Sequence, residues 1–112
     1  MIKKYNKLIR DKILEIIEDA GEKPYWRLLN KKEYLTEIKK KVLEEAKELN
    51  QAKTKKETIS EMVDIQELID VLSLKLGLKK ARVKKLQRMK NKKRGGFEKK
   101  LFLMKTETKP GK

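Results

Sequence analysis

The sequence predicts an all-α fold of the four-helix-bundle type, and three observations carry that prediction. Apolar residues recur at three- and four-residue spacing through most of the chain. Glycines stand where such stretches stop, at Gly21, Gly77 and Gly95-Gly96. Only one stretch, Phe97 to Met104, alternates in the manner of a strand. A chain of 112 residues makes one domain with a modest core.

Taken in order, residues 1–12 form a polar-apolar lead-in whose apolar members are Tyr5, Leu8 and Ile9. Lys7, Arg10 and Lys12 lie close together there around Asp11, and composition alone reads them as a solvated charge run. A first helix covers residues 13–20, with Ile13, Ile16, Ile17 and Ala20 on one side. Gly21 is placed to stop it, and Pro24 follows. The connector over residues 22–32 gathers Tyr25, Trp26, Leu28 and Leu29, which suits packing better than base stacking. Asn30 caps a second helix from near Lys31 to about Gln51. A polar turn follows to Lys56, and Thr58 with Glu61 has the spacing of a capping box for the third helix. That helix runs to about Leu76, and Gly77 ends it. A fourth helix from Leu78 to about Lys92 carries a narrow stripe of Leu78, Val83, Leu86 and Met89. Phe97 to Met104 is expected as a short strand. The domain thus spans residues 1–104, and residues 105–112 read as a frayed basic tail.

Composition excludes several chemistries. There is no Cys and no His. That removes disulfides, zinc–thiolate sites, the usual general base and the nucleophilic triads. Catalysis must therefore run on carboxylates, Lys, Arg, Tyr and metal. No apolar run is long enough to span a membrane, and no signal peptide is visible, so a cytoplasmic location is expected. Lys and Arg number 32 against 17 acids, a formal charge of +15. Residues 79–93 contain no acid at all. Such a block attracts phosphates of any kind, in nucleotides or nucleic acids.

Acids interrupt this basic background in two places. Glu44, Glu45 and Glu48 form one cluster. Residues 57–70 hold five carboxylates (Glu57, Glu61, Asp64, Glu67, Asp70) and no Lys or Arg. On a helix, positions three or four apart share a face, so Glu45 with Glu48, and Glu61 with Asp64, each project together. They also continue apolar stripes: Leu35, Ile38 and Val42 lead to Glu45 and Leu49, while Glu61 and Asp64 lead to Leu68, Val71 and Leu72. A buried carboxylate is costly unless paired, and several would repel. Hard divalent cations with oxygen ligands remove both costs. Two solvated acidic faces of a Lys- and Glu-rich protein fit the spacing equally well.

The whole pattern resembles a known family. Glu44-Glu45-x-x-Glu48, twelve residues and then Glu61-x-x-Asp64 is similar to the EExxE…ExxD signature of the all-α nucleotide pyrophosphohydrolases of the MazG type. Residues 5–13, YNKLIRDKI, and Lys90-x-x-x-Arg94-Gly95-Gly96-Phe97 resemble the ends of a small branch described as phosphoribosyl-ATP pyrophosphohydrolase-like or house-cleaning NTP pyrophosphatase. The resemblance covers roughly residues 2–104. One departure is Leu14, where that branch commonly has Pro; Leu is a good helix former, and no chemistry is touched.

The resemblance implies Mg²⁺-dependent cleavage of a nucleoside triphosphate to monophosphate and pyrophosphate, with Mn²⁺ as a substitute metal. Glu45, Glu48, Glu61 and Asp64 match the metal ligands. Glu44, together with Glu45, matches the catalytic positions. Lys90 and Arg94, with Lys7, Arg10 and Lys12, are the expected substrate-binding cations. A homodimer is implied, with no membrane and no specific nucleic acid as partner. Without metal the four ligand acids should repel, which raises at least one of their pKa values. Asp64→Asn should then leave the metal-free fold at least as stable. The expected role is house-cleaning of non-standard or surplus nucleotides. The alternatives are phosphoribosyl-ATP hydrolysis in histidine biosynthesis, a basic helical nucleic-acid binder without catalysis, and a non-catalytic helical scaffold.

Overall fold

A computed structural model describes residues 1–111; Lys112, the last residue of the expected tail, lies outside it. The described residues form four helices and no strand: α1 (Ile13–Asp19), α2 (Lys31–Gln51), α3 (Lys55–Lys75) and α4 (Lys80–Arg94). The all-α, four-helix expectation therefore holds. No helix among the described residues is long and apolar enough to cross a membrane. The chain divides into two compact units, residues 1–79 and the chain from Lys80 onward.

The first unit is built on a hairpin of α2 and α3, which pack along one another. Residues 52–54 are too few for anything but a reversal, and Lys75 Nζ stands 5.7 Å from the centroid of the Tyr34 ring. The last turn of α3 thus meets the first turn of α2, and the helices are antiparallel. Ile38 is fully buried at 0% exposure, and Leu35, Val42, Leu49, Leu68, Val71 and Leu72 are half-buried along the seam. The stripes predicted on α2 and α3 are the ones that face this seam, whereas Ile16 of α1 and Leu86 and Met89 of α4 are exposed.

Local chemistry fixes the ends. Asn30 Oδ1 accepts from the Glu33 N–H, and the Glu33 carboxylate accepts from the Asn30 N–H, which closes a capping box on α2. The third helix starts earlier than the Thr58 signal suggests. Thr54 is the cap: its hydroxyl accepts from the Glu57 N–H, while the Thr58 hydroxyl donates to the Thr54 carbonyl. The competing Thr-x-x-Glu at 54–57 wins because Glu57 also accepts from the Lys53 N–H, so both ends of the motif are satisfied. Glu61 is left free to face α2. At the other end Gly77, at φ +73°, closes α3 with N–H bonds from Gly77 to Leu74 and from Leu78 to Ser73.

The second unit is α4 followed by an irregular segment. No residue of α4 is buried. Residues 97–104 form no strand, contrary to expectation. A strand needs an edge to pair with, and the described residues provide none.

Candidate metal centre

The acids converge near the loop end of the hairpin, where the later turns of α2 meet the early turns of α3. Glu44, Glu45 and Glu48 each offer a carboxylate oxygen, and these oxygens lie within 4.8 Å of one another. Glu45, Glu61 and Asp64 do the same. Glu45 belongs to both groups. Antiparallel packing of two helices, each with an acidic pair three residues apart, is what brings α2 and α3 ligands to one place. The residues expected as ligands, Glu45, Glu48, Glu61 and Asp64, are thus brought together, and Glu44 joins them at the rim.

Burial differs sharply across the cluster. Glu45 is buried, with 7% of its surface exposed, whereas Glu48 is exposed. Glu45 Oε2 and Glu61 Oε2 are both inaccessible and accept no hydrogen bond. Such orphaned carboxylate oxygens are rare in native proteins and call for a physical reason. Burial, followed by the neighbouring Glu61 and Glu48, pushes the Glu45 carboxyl up to about 8. The cause is plain. Ionised, these oxygens repel; protonated, Glu45 gains a donor that Glu61 or Glu48 can accept. The expected raised pKa therefore falls on Glu45.

Three cations surround the acids. Lys7 Nζ donates to Glu44 Oε1 at 3.2 Å, and Arg10 Nη2 donates to Asp64 Oδ1 at 2.6 Å. Lys41 Nζ donates to Glu44 Oε2 at 3.2 Å and stands 3.9 Å from Glu45 Oε1. Burial alone would raise the Glu44 carboxyl, but its bonds to Lys7 and Lys41 outweigh this and hold it below its ordinary value. Two corrections follow. Asp64 does not face acids alone, because it has an Arg partner. Asp64→Asn thus removes an ion pair with Arg10 as well as a charge from the acidic cluster, so relief of repulsion is not its only effect on the metal-free protein. Lys41, moreover, was not among the candidates, although its position three and four residues before Glu44 and Glu45 is the signal that could have found it.

Lys12 is the N-cap residue of α1 and makes no ion pair with the cluster. Lys90 and Arg94 lie on α4, in the second unit. An open hollow lined by Glu48, Gln51, Ala52, Glu57, Ser60 and Glu61 adjoins the acids.

The donor set suits a hard divalent cation. All candidate donors are carboxylate oxygens on two packed helices, and two of these acids each have a buried oxygen without a hydrogen-bond partner. No known protein family, curated protein or solved structure matches this chain.

Proposed function

We propose that the chain is a Mg²⁺-dependent nucleoside triphosphate pyrophosphohydrolase of the MazG type that releases a nucleoside monophosphate and pyrophosphate. The observation that carries this reading is the pair of buried, partnerless oxygens on Glu45 and Glu61 at the centre of two overlapping ligand groups. Two solvated acidic faces do not explain them, since a solvated carboxylate has water on both oxygens. Glu45, Glu48, Glu61 and Asp64 would hold the ion, with Glu44 at the rim. When bound, Mg²⁺ supplies charge neutralisation for the polyphosphate and acidifies a water nucleophile, which a chain without His otherwise lacks. Mn²⁺ would serve in its place. The hollow beside Glu48 and Glu61 offers room for part of a nucleotide.

The resemblance of residues 90–97 assigns phosphate oxygens to Lys90 and Arg94. Lys90→Ala and Arg94→Ala should each weaken triphosphate binding by about 1.5–3 kcal/mol, the worth of a charge-assisted hydrogen bond. Lys84→Ala and Lys85→Ala should matter much less. Equal losses at all four positions would mean a general field rather than specific contacts.

The apolar surface supports a homodimer. Ile59, Met62 and Val63 are exposed on α3, on the side opposite Glu61, Leu68 and Leu72. A helix that is apolar on both sides suits the middle of three layers. House-cleaning in the cytoplasm, rather than the histidine-pathway step, is the role we favour, because no feature of the site marks a phosphoribosyl group.

The test is a panel of nucleotides with Mg²⁺, read out as pyrophosphate against orthophosphate. We expect pyrophosphate, lost in EDTA. Orthophosphate alone, or activity undiminished by EDTA, contradicts the reading.

A further inference from the structure

We propose that residues 1–12 form a strap whose Lys7 and Arg10 occupy the acidic cluster in the absence of divalent cations and are expelled when such a cation binds. The proposal rests on the metal-site reading above and extends it to a part of the chain that supplies no ligand.

The distribution of contacts carries the inference. Lys7 and Arg10 are far in sequence from their partners, by 37 and 54 positions, so these ion pairs are tertiary contacts and not neighbours on one helix. Each takes a carboxylate from a different group, Lys7 at the rim and Arg10 on one of the acids expected to hold the ion. Lys7 holds Glu44 of the Glu44–Glu45–Glu48 group, and Arg10 holds Asp64 of the Glu45–Glu61–Asp64 group. Neither reaches the shared Glu45. The strap therefore neutralises the rim on both helices, and neither of its two cations reaches the inner Oε2 atoms of Glu45 and Glu61.

The strap is held lightly. Its residues are exposed or at most half-buried, and the Arg10 side chain keeps 57% of its surface in water. Asn6 sits at φ +48°, a left-handed bend that Asn tolerates. Tyr5 lies under Lys3 and Lys7, at 5.1 and 5.8 Å from the ring centroid. Exposed ion pairs contribute little, whereas a divalent ion meets several carboxylates at once. Two monovalent side chains carry the charge of one dication, so exchange leaves the cluster's charge nearly unchanged. Expulsion also frees two cations beside the site, where a polyphosphate would next need them. Cation binding would thus precede anion binding.

Trypsin reads the strap directly, because it must draw a Lys or Arg side chain out of its contacts to cut after it. The full chain is digested in EDTA, in Mg²⁺, and in KCl at matched ionic strength, with cleavage after Lys105, an exposed residue outside the strap, as internal standard. Mg²⁺ binding is measured by calorimetry on the same protein. Cleavage after Lys7 and Arg10, relative to the standard, should rise severalfold in Mg²⁺ and less in KCl. Asp64→Asn should free Arg10 in EDTA. Arg10→Gln should tighten Mg²⁺ binding about two- to fivefold, the range of an exposed ion pair removed from competition. Mg²⁺ binding without any change in relative cleavage would overturn the strap and leave the metal site standing, as would weaker Mg²⁺ binding by Arg10→Gln. Absence of Mg²⁺ binding by the wild-type chain would overturn both.

Discussion

Glu45 is the residue on which the site's physics turns. Its carboxyl is pushed up to about 8 against an ordinary 4.5, so in the folded, metal-free protein it keeps its proton where the unfolded chain loses it. A raised folded pKa favours the fold below the unfolded value and withdraws that advantage as pH climbs through the folded one. In EDTA, stability should therefore decline between about pH 5 and 8. Glu44, held low by Lys7 and Lys41, has the opposite slope, but only on the acid side of this window. Glu45→Gln should flatten the decline. At pH 8 without metal it should stabilise the protein by about 1–3 kcal/mol, the penalty of an unsatisfied buried group. Chemical denaturation across this pH range checks it; an unchanged slope would move the perturbed group elsewhere. This residue was legible in the sequence, because Glu45 continues the stripe of Leu35, Ile38 and Val42. The pairing of Asp64 with Arg10 was not. Fifty-four positions separate the two, and no periodicity reports a tertiary contact from an irregular segment.

At the scale of elements, the helices were legible and one start was not. The sequence offers two overlapping Thr-x-x-Glu signals, Thr54–Glu57 and Thr58–Glu61, four residues apart. They are indistinguishable by pattern. Glu61 cannot both cap a helix and face α2, and the structure resolves the conflict by capping with Thr54. Thr54→Ala should cost about 1 kcal/mol of stability, the usual loss of a cap. Thr58→Ala should cost less, since its hydroxyl only returns to the Thr54 carbonyl, which already accepts the Thr58 N–H. Thermal melts of the two variants decide between the starts, and the reverse order would restore the later one. The terminal strand failed for another reason. Alternation at Phe97, Leu101 and Leu103 describes one half of a ladder, and the described residues supply no other half.

Across the whole molecule, charge and apolar surface are both unevenly spread. The chain from Lys80 onward holds fourteen cations and two acids, so most of the net +15 belongs to the second unit. Nucleic acids should bind there weakly, without sequence preference, and with affinity that falls steeply as salt rises. A complex that survives physiological salt, in a chain that hydrolyses no nucleotide, would reverse the functional reading. The apolar side of α3 makes a separate prediction: Met62→Glu should shift a concentration-dependent dimer toward monomer in sedimentation, while a monomeric wild type would contradict the dimer. The claim on which all else depends is that the cluster holds a divalent cation, and Glu61 tests it best, since one of its oxygens is buried without a partner and it forms no ion pair. The measurement is a set of melting curves at neutral pH for wild type and Glu61→Gln, in EDTA and in Mg²⁺. The wild type should melt higher in Mg²⁺, because the ion binds only the folded chain. Glu61→Gln should equal or exceed the wild type in EDTA and lose most of the Mg²⁺ shift. A variant markedly less stable in EDTA, or one that keeps the full Mg²⁺ shift, would show that Glu61 is a structural group and that the cluster is not the metal site.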